Sequence, residues 1–313
     1  GLRRQTVREG VRTALGRSVD EPAARQAYAD ADALFQQASD AEGKERVKLF
    51  REAAEQYTEA AERFPDSMLQ EDALFMAGEA NFFADRYKDA QDAYEELIAA
   101  YPNTRHIDRV DARRFDIAQY WLAVHRADEK FFLTPNWRDE KLPHNDTFGN
   151  AVRVFDKVRL DDPTGRLADD ATMAAASAYF ADGDFAQAEI FLADLRRTYP
   201  ESEHQFDAAL LAIKAKMKLY QGSDYDSQHL EEALQLIDLT FAEFPQQAAE
   251  HREFLEKAYK DVRVKLALRD WRTAKFYDNR KEYGGARRYY TKLIQEFPDT
   301  SLAQDAQKRL QKI

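Results

Sequence analysis

The chain has 313 residues, no cysteine, 33% charged and 44% hydrophobic residues, and a net charge of −11. The missing cysteine excludes disulfides, zinc–thiolate sites and thiol catalysis, and no apolar run is long enough for a membrane-spanning helix. Residues 255–313 hold 15 Lys and Arg against 8 Asp and Glu, a net of +7, which leaves −18 on residues 1–254. The acidic middle argues against nucleic acid, whose binding needs Lys and Arg to replace counterions. The basic end reads either as ordinary solvated helix faces or as a docking surface for an acidic partner or anionic lipid headgroups.

Residues 1–20 form an N-terminal arm. Its first 19 residues carry Arg3, Arg4, Arg8, Arg12 and Arg17 against Glu9, and Leu2, Val7, Val11 and Leu15 at a spacing that suits one amphipathic helix or a linker from an anchor. Gly1-Leu2-Arg3-Arg4 is not a natural start, so a mature or trimmed chain is expected, with any upstream targeting segment out of view. Glu21-Pro22 opens the first helix, proline being tolerated in a first turn, and Ala27, Leu34 and Phe35 supply its apolar face. A second helix runs from about Glu45 to Phe64. A hairpin over Asp66–Pro102 follows, with its turn near Asp85-Arg86, and then a helix over Ile107–Val124.

At Arg126–Thr147 the helical pattern breaks. These 22 residues contain Pro135 and Pro143, and carry Phe131, Phe132 and Trp137 in an otherwise polar stretch. An insertion of this size is usually functional or disordered: its aromatics either fold back onto the protein or contact a partner. A shorter insertion lies at Gly222–Gln228. Beyond Pro245 the pattern predicts one helix over Ala248–Leu268, another over Asp270–Asn279, and a last amphipathic helix over Ser301–Ile313.

Two stretches align without a gap at a distance of 98 residues, Asp72–Pro102 and Asp170–Pro200. Ala77 matches Ala175, Tyr87 matches Phe185, Ala90 matches Ala188, and Pro102 matches Pro200. The second half of that unit recurs six times: an aromatic or Leu, Ala three residues on, a large apolar residue four after the Ala, and Pro twelve after it. The copies begin at Phe50, Tyr87, Phe148, Phe185, Leu230 and Tyr283. Spacings of three and four place these residues on one helix face, the Ala marks a close approach of two helices, and the Pro ends the helix. This pattern resembles the tetratricopeptide repeat (TPR) family, whose small, Ala, aromatic and Pro positions are matched by Gly78, Ala90, Tyr94 and Pro102. The resemblance implies an all-α, right-handed TPR solenoid of about six helix-turn-helix units over residues 21–313. Its units end at residues 65, 102, 163, 200, 245 and 298, the insertion at 126–147 falls in the third, and a C-terminal capping helix closes it.

The order of features is also similar to the BamD-like lipoproteins of the outer-membrane β-barrel assembly machinery. AKFYDNRKEYGGA over 274–286, the EFPDT turn over 296–300 and the Phe-Phe-containing insertion carry that likeness. It implies a non-catalytic scaffold in the periplasm, associated with the outer membrane through a lipid anchor upstream of this chain. The expected partners are a POTRA domain of the barrel subunit, docked by the C-terminal units, and unfolded outer-membrane protein segments, received by an N-terminal groove. On this reading Arg269, Arg272, Arg287 and Arg288 contact the partner. Arg113, Tyr120 and Trp121 line the groove, with Phe131, Phe132 and Trp137 in the insertion. Each has a plain alternative, inter-helix packing for the groove set and solubility charge for the arginines. A soluble TPR adaptor of cell-envelope or cytosolic complexes, never lipid-anchored, is the competing reading.

No catalytic, cofactor or metal constellation stands out. The six histidines show no His-x-x-x-His spacing. Asp182-Gly183-Asp184 lacks the other ligands of a calcium loop and reads as a turn. Gly284-Gly285 is too short to cradle phosphate. Lys275 and Asn279 have the i, i+4 spacing of a carboxylate clamp, but no later unit follows to complete it.

Overall fold

The computed structural model describes residues 19–127, 136, 139–223 and 225–313. Phe131, Phe132 and Trp137, and the arm up to residue 18, lie outside them. Among the described residues there are fourteen helices and no strand. They are α1 (Glu21–Asp40), α2 (Gly43–Arg63), α3 (Met68–Phe83), α4 (Tyr87–Ala100), α5 (Ile107–Ala127), α6 (Thr147–Asp161) and α7 (Ala168–Asp182). Next come α8 (Phe185–Thr198), α9 (Gln205–Leu219), α10 (Gln228–Glu243), α11 (Pro245–Glu250), α12 (Arg252–Asn279), α13 (Tyr283–Glu296) and α14 (Ser301–Leu310). The chain forms two compact units, Gly1–Ala171 and Thr172–Ile313.

Within the first unit α1 packs on α2, α2 on α3, α3 on α4, α4 on α5 and α5 on α6. This nearest-neighbour packing is that of a helical repeat array. In the second unit α9 packs on α8 and α10, while α12 packs on α10, α13 and α14. The predicted break near Leu268 does not occur: α12 is one continuous helix of 28 residues. No Pro or Gly stands between Leu268 and Asp270, so nothing local interrupts the backbone hydrogen bonds. The start of the predicted helix at Ala248 falls instead in the short α11, separated from α12 at His251.

The repeat signature accounts for the packing. Ala53, Ala90, Ala151, Ala188, Ala233 and Ala286 are all fully buried, as are the large residues four positions on, Tyr57, Tyr94, Phe155, Leu192, Ile237 and Tyr290. A small side chain at the first position lets the facing helix approach, and the large one fills the space above it. Gly78 extends the rule: a Cβ there would run into the ring of Tyr94. The residue before each proline ends its helix in a common conformation. Phe64, Tyr101, Asp162, Tyr199, Phe244 and Phe297 have φ between −134° and −119° and ψ between 50° and 80°. Each N–H there donates to the carbonyl four residues back, for example Tyr101 to Leu97 at 2.7 Å. The proline that follows keeps this residue out of helical geometry.

The 98-residue period also sets the turns. Asp85, Gly183 and Lys281, one period apart, all adopt the left-handed conformation, at φ 62°, 88° and 60°. The next residue donates to a carbonyl five back in each case: Arg86 to Asn81, Asp184 to Tyr179 and Glu282 to Tyr277, at 2.9–3.0 Å. This is the Schellman closure of a helix end. Glycine meets the left-handed requirement without strain at 183, whereas the Asp and Lys copies adopt it at some cost.

Candidate interaction surfaces

Three of the six large repeat positions are tyrosines, and each hydroxyl donates to a carboxylate on the first helix of its own hairpin. Tyr57 donates to Asp32 at 2.5 Å, Tyr94 to Glu79 at 2.8 Å and Tyr290 to Asp278 at 3.1 Å. A buried phenol needs such a partner. Burial and the neighbouring carboxylate push the Tyr94 hydroxyl well above its ordinary range and Tyr290 up to about 12. Two of the carboxylates are then closed by an arginine from the following helix. Arg113 on α5 donates from Nε to Glu79 Oε1 at 2.9 Å, and Arg309 on α14 makes two 2.8 Å bonds to Asp278. The Arg309 bonds hold the Asp278 carboxyl below the usual carboxylate range. These Tyr–carboxylate–Arg bridges tie a hairpin to the helix that follows it.

Arg113, expected to line a groove, is therefore occupied inside the fold. Its guanidinium lies 4.5 Å over the Phe82 ring and 5.0 Å over Phe83, while Arg109 adds a 3.2 Å contact to Glu79. Trp121 is 1% exposed and its Nε1 donates to the carbonyl of Lys141 at 2.7 Å. Both side chains are engaged by groups of the fold. Tyr120 is half-buried, its ring edge-on to Tyr87 at 5.2 Å. The carboxylate and carbonyl that engage Arg113 and Trp121 lie 34 and 20 residues away, beyond the reach of helical periodicity.

The described end of the insertion folds back onto the first unit. Asn136 is buried and organises it: its side-chain amide donates to the carbonyls of Asp139 and Leu142, and its Oδ1 accepts from the N–H of Asp139. Leu142 is buried, Lys141 pairs with Asp85 at 3.0 Å, and Glu140 stands 3.7 Å from both Arg51 and Arg86. Deeper in the same unit, Arg114 is fully buried between Asp111 at 3.3 Å and Asp161 at 2.8 Å. Burial pushes the Asp111 carboxyl up to about 7, against the pull of Arg114.

The basic end divides in two. Arg269 is largely enclosed: it pairs with Asp270 at 2.9 Å and with Glu231 of α10 at 2.6 Å, and also donates to Ser227. It ties α12 to α10. Arg272, Arg287 and Arg288 are exposed on α12 and α13, Arg287 donating to the Ile313 carbonyl at 2.5 Å. Two aromatics on the same helices are exposed as well, Phe276 at 56% and Tyr283 at 42%, and the Arg280 guanidinium lies 5.2 Å from the Phe276 ring. Sequence reasoning passed over this pair. Phe276 stands at a helix position outside the repeat signature, which was the available signal, whereas Tyr283 fills a signature position.

Two histidines meet a carboxylate 34 residues back, His204 lying within 4.8 Å of Asp170 and Glu203. Adjacent sequence offers His106 no carboxylate on its own helix face, yet Asp72 of α3 lies 2.8 Å from its Nε2 and the ring stacks on Phe75 at 4.2 Å. No helix among the described residues is long and apolar enough to cross a membrane.

The comparisons with known proteins bear on these surfaces. No curated protein matches the chain. Solved structures that match include the C-terminal part of a TPR repeat-containing protein from Cytophaga hutchinsonii, at 12% identity over 89% of this chain and 98% of that one, with a TM-score of 0.34. A tetratricopeptide repeat protein from Parabacteroides merdae matches at 12% identity over 90% and 98%, with a TM-score of 0.33. PilW, a type IV pilus biogenesis factor, matches at 16% identity over 88% and 97%, with a TM-score of 0.27. A tetratricopeptide repeat profile matches residues 72–104, the hairpin that contains Gly78, Ala90 and Tyr94. The profile of the YfiO family, described as an outer membrane lipoprotein, matches residues 138–313, more than half the chain. That span contains the 274–300 stretch on which the BamD-like resemblance rests, and the chain belongs to the YfiO outer membrane lipoprotein family.

Proposed function

We propose that this protein is a non-catalytic scaffold of an outer-membrane β-barrel assembly complex, on the periplasmic side of that membrane. Its family and its repeat architecture are those of protein-interaction adaptors. The second unit docks a POTRA-type domain of the barrel subunit, and the first unit receives unfolded outer-membrane protein segments. The observation that carries the docking reading is the surface of α12 and α13, where Arg272, Arg287 and Arg288 are exposed beside Phe276 and Tyr283. Exposed aromatics and arginines are the residue types that dominate interface energetics. Arg269 supports the site by tying α12 to α10. The test is binding of a POTRA domain from the same envelope to the Arg287→Glu/Arg288→Glu variant. Affinity is expected to fall, most steeply at low salt. Unchanged affinity at low salt sinks this surface. Recovery of the native protein with an acylated N-terminal cysteine is the matching test of its membrane association.

A further inference from the structure

The first unit carries a groove with the opposite character from the basic end. Two hollows, of about 380 and 510 Å³, meet at Glu55. One lies between α1 and α2, the other between α2 and α4. Their apolar floor comes from Ala33, Leu34, Ala54 and Ala93. Their rims are acidic: Asp30, Glu52 and Glu55 on α1 and α2, and Asp89, Asp92 and Glu96 on α4. Asp89, Asp92 and Glu52 are paired with Arg86, Lys88 and Lys48. Asp30, Glu55 and Glu96 are exposed and have no ion-pair partner among the described residues. A trough with an apolar floor and uncompensated carboxylates along its rims fits a segment that is apolar on one face and cationic on the other.

The chain itself supplies such a segment. Residues 2–17 place Arg4, Arg8 and Arg12 four apart, with Val7, Val11 and Leu15 on the neighbouring stripe, and Arg3 and Arg17 at the ends against the single Glu9. The segment joins α1 at Asp20, which caps that helix through the Ala23 N–H and donates its own N–H to the Arg63 carbonyl at the end of α2. From there the first rim residue, Asp30, lies about 14 Å along α1 at a helical rise of ~1.5 Å per residue. Residues 2–17 reach well past it in either helical or extended form, the latter allowing about 3.3 Å per residue. Because the segment is tethered, the groove meets it at an effective concentration in the millimolar range.

We infer that the acidic groove formed by α1, α2 and α4 is a docking site for the chain's own basic N-terminal segment, residues 2–17. Its arginines lie along the Asp30, Glu55 and Glu96 rim and its Val7–Val11–Leu15 stripe rests on the Leu34 and Ala54 floor. The contact is intramolecular and occupies a surface distinct from the basic end.

The test uses the full chain with a photo-crosslinking phenylalanine analogue at Thr58, an exposed residue of the second hollow. Crosslinked peptides are mapped by mass spectrometry. The expected partners are residues 2–17 of the same chain, at a yield independent of protein concentration. That yield should fall severalfold in Glu55→Lys/Glu96→Lys and at high salt, where exposed charge pairs are screened. The exposed Asp238→Lys, a charge reversal in the other unit, should leave it unchanged. Crosslinks that miss residues 2–17, that join two chains, or that ignore the Glu55 and Glu96 reversals overturn the inference. Circular dichroism of each variant confirms that the helices persist.

Discussion

The hairpin α3–α4 and the hairpin α12–α13 are built on the same plan and put their arginines to different use. Both carry a buried tyrosine bonded to a carboxylate on the first helix, Tyr94 to Glu79 and Tyr290 to Asp278, and both receive an arginine from the helix that follows. In the first hairpin the bridge is closer: the Glu79 side chain is 2% exposed and pairs with Arg113, 27% exposed against the Phe82 and Phe83 rings, while a second arginine, Arg109, reaches it from the surface. In the second hairpin Arg309 keeps 39% of its side chain in solvent, and further arginines and two aromatics face outward. Arginine content therefore does not locate an interface. A guanidinium matched by a buried carboxylate is part of the scaffold, and only those left at the surface are available to a partner.

Removing the two carboxylates should separate the hairpins most sharply. Glu79→Ala strands the half-buried Arg113 and the buried Tyr94 hydroxyl and leaves Arg109 to water, which should cost about 3 kcal/mol, the low end of the range for breaking a buried charge pair. Asp278→Ala leaves an arginine that water can reach, so about 1–3 kcal/mol is expected. Denaturant melts of both variants measure the difference, and equal losses would remove the distinction between a closer and a more open bridge.

The close approach in the first hairpin offers a second probe. Gly78→Ala pushes a methyl into the Tyr94 ring, an overpacking that should cost about 1–3 kcal/mol. Gly284, at the start of α13, has nothing within 4 Å of the added methyl. Gly284→Ala should gain about 0.4–1 kcal/mol through the unfolded chain. A neutral Gly78→Ala would show that the first hairpin yields as readily as the second.

A smaller, pH-dependent effect belongs to the first unit. The Asp111 carboxyl is pushed up to about 7 by burial, above its unfolded value, although Arg114 opposes the shift and Asp161 and Asp162 add to it. The native state therefore binds this proton more tightly than the unfolded state, and protonation favours folding. Stability gained from Asp111 should rise as the pH falls from about 8 through 7 and level off near 4, the unfolded carboxyl value. Urea midpoints of the wild type, taken relative to Asp111→Asn, should rise over that interval. Parallel profiles would mean that Arg114 holds Asp111 ionised.

Much of the fold was legible because it is local. The Ala positions, the large residues four later and the prolines act through spacings within one helix, and all six copies sit where the pattern puts them. Position 281 shows the limit of residue-type signals. A lysine there adopts the left-handed turn that Gly183 marks openly, and only the 98-residue period reveals it. The continuous α12 shows a related limit, since nothing local says what the charges of Arg269 and Asp270 meet. In the fold they pair with each other and with Glu231 and Lys292.

By itself, then, the sequence determined the all-helical class, the helix ends that the repeat prolines mark, the repeat and the family, because each depends on periodicity or on a contiguous motif. Tertiary structure alone decided which of the singled-out side chains are enclosed by the fold and which stay exposed. Arg113 and Arg269 are engaged by Glu79 and Glu231, 34 and 38 residues away, while Arg288 on α13 stays in water. A side chain's availability is set by whether packing brings it a complementary group, and no local pattern carries that information.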